Sequence, residues 1–492
     1  MILLLLAALA LSIAIGYFLA VLFLPKYSQR WADVLLKVSL GAGLGVGVSS
    51  SLYFLVWLII GPSTVIYLVC ELLTLAIAIA ACRFRRERSL VDIPHAKPAG
   101  WTWLLLPAFL VTLALAVSLF VATSTASPYG EWDAWSIWNL RAEFLAQPDT
   151  SWRNAFSPLL NRPAGGGATH PDYPLLLSAY VGRCWNLTNS SGHPATPIAV
   201  AALFFFATVA LAMSALAILR SWSAAMIGGM VLLGTAGFLL DGPWQYADIP
   251  LGFYYLAALG LFFLADAAPQ NHGKVLVLAG LVMGLAAWTK NEGLVFALVS
   301  FVALIGYLWT ARRSALLRSA GQLFAGAAVP LIIALYFKFF LAPPTGTYAG
   351  MTPAAAVHRL AEFSRYAEIG KAFWKEVLAL GTGIAHPAVA LAVLGAALGV
   401  APDRRRAPVV ITSIAIWIAV LIAYLATYAV TPLDLTWHLS TSMGRLLDQL
   451  LPSFIFLALA MFRTVEETAV ALPQPVKTHK VTGKRKKKAR AV

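Results

Sequence analysis

The feature that most constrains this chain is a succession of apolar runs, each long enough to cross a bilayer. The first, MILLLLAALALSIAIGYFLAVLFL, opens the sequence. Runs of roughly 17–25 residues, the length a membrane helix needs, fall at about 2–24, 35–60, 63–82, 101–123, 196–219, 223–240, 246–265, 274–290, 293–310, 320–341, 384–401, 408–430 and 447–463. The expectation is therefore an all-α, polytopic membrane protein with about thirteen transmembrane helices. Composition agrees, because 60% of the 492 residues are hydrophobic and only 12% are charged, a balance that excludes a soluble globular domain. The opening run has no basic segment ahead of it and no convincing cleavage site. It reads as a retained span and not as a signal peptide.

Basic residues set the expected orientation. Lys26 with Arg30, Arg83 with Arg85 and Arg86, Arg220, Lys274, Arg312 with Arg313 and Arg318, and Arg404 to Arg406 all fall on one side under this assignment. The positive-inside rule makes that side the cytoplasm, with the N-terminus outside and the C-terminus inside. The span at 274–290 is short and stays separate from its neighbour only if Lys290 to Gly293 form a turn. The net charge of +15 is concentrated in the tail, where eight Lys and Arg lie between Lys477 and Arg490 with no acid among them. Residues 464–492 read as a disordered cytoplasmic tail that contacts anionic membrane lipid. KRKKKAR is also a nucleic-acid-like composition, but no nucleic-acid partner is expected in that setting. Three cysteines, Cys70, Cys82 and Cys184, imply no disulfide framework.

This topology divides the chain into a three-span module at 1–85 with no assigned role, a transmembrane core at 86–463, and the tail. Three polar loops are expected outside: 124–195, 342–383 and 431–446. The first is too long for a connector, and its Glu131, Asp133, Glu143, Asp149 and Asp172 nearly balance Arg141, Arg153, Arg162 and Arg183. Within 342–383, residues 354–380 mix apolar and charged positions at helical spacing and suggest a helix lying in the interface.

Chemistry concentrates in these outer segments. In SPYGEWDAWSIWNLRAEFL a short helix is expected, with Ser127 as cap, Pro128 in the first turn, and Trp132, Trp135 and Trp138 on one aromatic face. Glu131 and Asp133 suit a helix N-terminus. Asp133, between Trp132 and Ala134-Trp135, is also placed to be partly desolvated, which raises basicity toward that of a general base. THPDYPLLLSAY fixes His170 and Asp172 between prolines, either as a capped turn or as a second acid–base pair. Asp133, His170 and Asp172 are the candidate ligands if a divalent cation, Mg²⁺ or Mn²⁺, takes part. Asp241 and Asp248 surface at another junction, as do Lys290, Asn291 and Glu292, and ionisable groups at membrane depth point to function. TPLDLTWHLSTSMGRLLDQLLP adds Asp434, His438 and Arg445, the last a cation on the side the orientation rule disfavours. A base beside cations that can receive phosphate is what glycosyl transfer from a lipid phosphate requires.

The ordered set GEWDAWSIWN with Asp133, HPDYPLLL with Asp172, YADIPLGF with Asp248 and GLAAWTKNEGL with Lys290 resembles the GT-C superfamily of integral-membrane glycosyltransferases. The likeness is to the branch of protein O-mannosyltransferases and the lipid A aminoarabinose transferase, and covers roughly 101–345 in order and spacing. It implies a GT-C-like fold whose large first outer loop carries short interfacial helices, in a cell-envelope membrane, the bacterial inner membrane. It further implies a polyprenyl-phosphate sugar donor and a hydroxyl acceptor on a lipid, glycan or protein. By that likeness Asp133 is the catalytic base, with Asp172 as the other catalytic candidate. Glu131, His170, Asp248, Lys290, Glu292, His438 and Arg445 are expected to bind substrate. The chain departs from the mannosyltransferases in carrying Glu-Trp-Asp where they pair Asp with Glu, so the choice of base between Glu131 and Asp133 stays open. It also has three additional leading spans. Two other classes remain: a transporter or flippase of lipid-linked sugars, and a non-catalytic envelope assembly protein. The absence of an internal repeat weighs against transport.

Overall fold

A computed structural model describes residues 1–85, 89–95, 100–161, 169–344, 348, 350–381, 386–400 and 406–471. The chain is almost wholly helical. The helices are, in order, α1 (Ile2–Phe23), α2 (Arg30–Ile59), α3 (Thr64–Phe84), α4 (Leu105–Ala126), α5 (Asn139–Leu145), α6 (Leu176–Thr188), α7 (Ala195–Leu219), α8 (Trp222–Leu233), α9 (Ala236–Asp241) and α10 (Asp248–Ala267). They continue as α11 (His272–Thr289), α12 (Asn291–Ala311), α13 (Leu316–Tyr336), α14 (Pro353–Leu360), α15 (Phe363–Ala379), α16 (Pro387–Leu398), α17 (Ala407–Val430), α18 (Leu435–Met461) and α19 (Val465–Ala471). A two-residue parallel sheet pairs β1 (Lys26–Tyr27) with β2 (Leu90–Val91).

Among the described residues, eleven helices are long and apolar enough to cross a membrane, which makes this a multi-pass membrane protein. The run expected at 223–240 is instead a bent pair, α8 and α9 with the following turn, meeting at 69°. The run expected at 384–401 holds only the 12-residue α16; at 1.5 Å per residue such a helix is shorter than a bilayer's hydrocarbon core. Lys290, extended at φ −157° and ψ 161°, is the single residue that separates α11 from α12. It is the turn on which the alternation of all later spans depends.

Two other expectations need correction, and a third is given its contacts. Segment 431–446 is not a loop: Asp434 caps α18 by accepting from the Trp437 amide at 2.8 Å, so His438 and Arg445 stand on a helix. The first three helices pack on the rest of the chain. Ser50 Oγ donates to Leu176 O (2.7 Å) and Tyr53 OH to Leu145 O (2.8 Å), while Glu71 of α3 pairs with Arg183 of α6. The tail begins as structure, because α19 docks Glu466 on Ser223 Oγ (2.6 Å) and Glu467 on Arg220 (3.1 Å). Its basic stretch, like Arg86, Arg162, Arg404 and Arg405, lies outside the described residues.

The core is centred on α10, whose membrane window is buried throughout, whereas α3 and α4 present most of their surface outward. Close helix approach relies on small residues, as is general in membrane proteins. A Cβ at Gly16 would run into the Gly41 carbonyl across α1 and α2, and one at Gly280 into the Leu323 carbonyl across α11 and α13. Residues 354–380, expected as one helix, form most of two, α14 and α15. Arg365 ties α15 to the C-terminal end of α17 by donating to the carbonyls of Tyr428, Ala429 and Thr431 at 3.0–3.2 Å.

Candidate functional site

The C-terminal ends of α4, α11, α13 and α17 and the N-terminal ends of α10, α12 and α18 meet at one end of the bundle: Glu131 N, just past α4, donates to Trp244 O (3.3 Å), Lys290 Nζ reaches Asp248 (2.9 Å), Lys338 Nζ donates to Asn291 Oδ1 (3.0 Å), and His438 shares a hydrogen bond with Thr431 (2.9 Å). The acidic segments fold over this end. The chain leaves α4 at Ser127, which closes that helix and does not start the next. It turns at Gly130 (φ +72°), where the Trp244 carbonyl leaves no room for a Cβ. The following helix begins with a π-helical turn at Ala134–Trp138 before continuing as α5. That wider turn breaks the expected aromatic face: Trp132 and Trp135 are half exposed, whereas Trp138 is buried.

At the start of this turn the Asp133 carboxylate forms an ion pair with the Arg445 guanidinium, which lies on the third turn of α18. Arg445 also lies over the ring of Tyr246 at 5.3 Å. The opposite wall is the loop before α6. His170, in the left-handed region at φ +42°, stacks on Tyr173 at 4.5 Å, and Tyr173 stacks on Trp138 at 5.7 Å. Asp172 Oδ2 accepts from Lys338 Nζ and from Asn291 Nδ2, both at 3.0 Å, and Lys338 Nζ donates further to Asn291 Oδ1 at 3.0 Å. Burial raises the Asp172 carboxyl, but the Lys338 charge and the hydrogen bonds from Lys338 and Asn291 outweigh it and hold it below the usual carboxylate range. Burial likewise pushes the His170 imidazole down, against the pull of Asp172 and Asp133, so it is neutral near pH 7.

A third cluster lies deeper. Lys290 Nζ bridges Asp248 Oδ1 and Glu292 Oε1, each at 2.9 Å. Gln449 Nε2 also donates to Asp248 Oδ1 (2.5 Å), and its Oε1 accepts from Tyr424, which bonds Tyr255. Both Asp248 and Lys290 are buried. Three carboxylate oxygens here, Asp172 Oδ1, Asp248 Oδ2 and Glu292 Oε2, are buried with no hydrogen-bond partner among the described residues. The three clusters adjoin, since His170 is an electrostatic neighbour of Asp172, Asp133, Lys290 and Glu292 together.

The fold thus brings Asp133, His170, Asp172, Asp248, Lys290, Glu292 and Arg445 to one site. His438 lies at its edge, half-buried, sharing a hydrogen bond with Thr431 Oγ1 at 2.9 Å and neighbouring His170 and Arg445. Glu131 is peripheral: its carboxylate accepts only a long bond from Ser127 Oγ at 3.4 Å and has no cation within ion-pair reach among the described residues. Lys338, Tyr173, Tyr246 and Gln449 were not singled out from sequence, nor was Asp448, which lies within hydrogen-bonding reach of Asp241 beside the site. Lys338 carried a usable signal, a lone lysine in the apolar run YFKFFL. Among the described residues no three His, Cys, Asp or Glu side chains converge to hold an ion, and Asp133 and Asp172 are engaged by cations instead.

No protein-family model matches the chain, and neither a curated protein nor a solved structure matches it.

Proposed function

We propose that the chain is a GT-C-like membrane glycosyltransferase that moves a sugar from a polyprenyl-phosphate donor to a hydroxyl of a lipid, glycan or protein. The observation that carries the reading is the convergence of carboxylate–cation pairs at one end of an apolar bundle: Asp133 with Arg445, Asp172 with Lys338, and Asp248 with Lys290 and Glu292. Transfer to a hydroxyl needs a carboxylate that accepts its proton and cations that hold the departing phosphate. Both are adjacent here. Basic residues on the opposite helix ends, among them Arg30, Arg220, Arg312 and Arg406, support placing that end in the cytoplasm and the site on the outer face.

The roles divide by exposure. Lys290 is enclosed between two acids, so its charge is taken up by Asp248 and Glu292 inside the protein. Arg445 and Lys338 each hold one partner acid and keep some exposure, 19% and 31% of their side chains. These are the cations that an incoming lipid phosphate can reach. As it arrives it competes with Asp133 for Arg445 and with Asp172 for Lys338. Asp172, so released, is more basic, because the Lys338 charge helps hold its carboxyl down. Donor binding would then prepare the base. The unpartnered oxygens of Asp172, Asp248 and Glu292 suit a ligand bearing hydroxyl donors, as a sugar does. No step in this scheme runs through a metal ion.

The test is release of polyprenyl phosphate from radiolabelled polyprenyl-phosphate sugars by the purified protein. Transfer of label to an extractable or protein-bound acceptor supports the reading, and its absence across hexosyl and pentosyl donors counts against it. One observation favours the transporter alternative. The α8–α9 break, with Asp241 against Asp448, is the kind of interrupted helix that transporters use. Movement of labelled lipid across proteoliposomes without cleavage of its sugar would select that alternative.

A further inference from the structure

Arg141 was unremarkable in sequence, one of several arginines in the first outer segment. In the fold its side chain is wholly buried and makes no ion pair among the described residues. It donates instead to main-chain carbonyls: Nε to Ala155 O (2.7 Å), Nη1 to His170 O (3.4 Å), and Nη2 to Pro171 O (3.4 Å) and Tyr173 O (2.7 Å). Its guanidinium also rests 6.0 Å from the centre of the Phe337 ring, and the next residue after Phe337 is Lys338. A buried cation without a carboxylate partner is costly. Burial accordingly pushes Arg141 down to about 9, with Asp172 opposing the shift, yet it stays protonated near neutrality. A merely space-filling position would not retain such a group.

We infer that Arg141 is a positioning residue: its planar fork gathers the carbonyls of His170, Pro171 and Tyr173 so that Asp172 meets Lys338 and His170 faces the site. The acceptors explain the residue type. Four carbonyls from two separate segments converge on one side chain, which the guanidinium's five fixed donors match and a single ammonium does not. They also explain how His170, a non-glycine residue, is held at positive φ, a conformation that persists only where the surroundings over-determine it. Arg141 shares a continuous helical segment with Asp133, so one side chain links the placement of both acids.

The test uses the full-length protein in detergent with R141K, R141Q and R141A. Acylation of Lys338 by an amine-reactive reagent, read by peptide mass spectrometry, reports whether Asp172 still covers it. Lys371 and Lys375 of α15 serve as internal standards. The expected result is several-fold faster acylation of Lys338 in all three variants, with the standards unchanged and R141K no better than R141Q. Added guanidinium ion, but not methylammonium, should restore protection in R141A. Lys338 reactivity that matches wild type in R141K, or that rises only in step with the standards, overturns the assignment. If R141A fails to fold, the R141K and R141Q comparison decides the matter. The catalytic consequence rests on the proposed transfer reaction: turnover should fall roughly 10²-fold, the scale of a misplaced catalytic group. Should wild type transfer no sugar, the functional reading fails, while the labelling still decides the role of Arg141.

Discussion

Asp133 and Arg445 are 312 positions apart in sequence, yet their side chains form an ion pair where the first polar segment lies against α18. If Asp133 takes the acceptor's proton, D133N should lower single-turnover transfer by roughly 10²–10⁴, the range for a positioned general base. The substitution is nearly isosteric and frees Arg445, so affinity for polyprenyl phosphate should hold or rise. Among the described residues Glu131 has no cation partner, and E131Q should cost much less. Near-normal transfer by D133N would shift the base to Asp172.

Asp172 makes a prediction about pH. Its carboxyl is held below the value near 3.9 expected in the unfolded chain. The folded state therefore binds its proton less readily. Its contribution to stability is complete above about pH 4 and is lost as pH falls through the lower folded value. Thermal midpoints of wild type and D172N should differ by a constant amount near neutrality, and the gap should close on acidification. A gap that persists to the lowest pH at which the protein folds would remove Lys338 as the partner that matters.

Much of this fold was legible because a bilayer leaves few options. Apolar length dictates helices, and the extended Lys290 sits where the run from 274 had to break. The acids and cations at helix ends could be picked out singly, since each interrupts an apolar context. Their pairing could not. Asp172 with Lys338, and Asp133 with Arg445, join segments far apart in sequence, and nothing local in either segment names the other. The same reasoning accounts for two errors. Polar residues from Thr436 to Arg445 suggested a loop, but they occupy the wet first turns of a helix that Asp434 caps. The π-helical turn that buries Trp138 has no counterpart in a 3.6-residue pattern.

Lys338 and Lys290 should separate by phenotype. K338Q keeps a hydrogen-bonding side chain at a partly exposed position and should fold. Its affinity for polyprenyl phosphate should drop roughly 10–100-fold, as expected from losing a charge-assisted bond of about 1.5–3 kcal/mol. K290Q strands Asp248 and Glu292 inside the protein and should instead lower the yield of monodisperse protein, by a penalty of about 3–5 kcal/mol. Equal lipid binding by K338Q and wild type would take Lys338 out of the phosphate site.

Orientation can be read directly. A cysteine at Ala355, exposed on α14 at the site end, should react with a membrane-impermeant thiol reagent in intact cells. One at Ala407, the first residue of α17 at the opposite end, should react only after permeabilisation. The reverse pattern would place the acidic site in the cytoplasm and remove the outer-face reaction.

The first three helices acquire a role through Glu71. Its carboxylate receives Arg183 Nη2 at 2.6 and 2.8 Å and Ser49 Oγ at 2.6 Å, while Arg183 Nε donates to Tyr67 OH and Nη2 reaches the Ala8 carbonyl. Both members of the pair have no exposed side-chain surface. The network therefore ties α6 to α1, α2 and α3, and α6 follows the Asp172 loop after only three residues. Removing one partner of a buried pair leaves the other uncompensated, a loss of about 3–5 kcal/mol. E71Q should lower the thermal midpoint sharply. Replacing both groups together, as E71M with R183M, should be milder than either single change, because no stranded charge remains. The single variants should also raise hydrogen exchange at the amides of 173–178 before those of α17, which lies outside the network. A double variant as unstable as the sum of the two singles would mean that the pair is not the link. The leading helices would then be held by apolar packing alone.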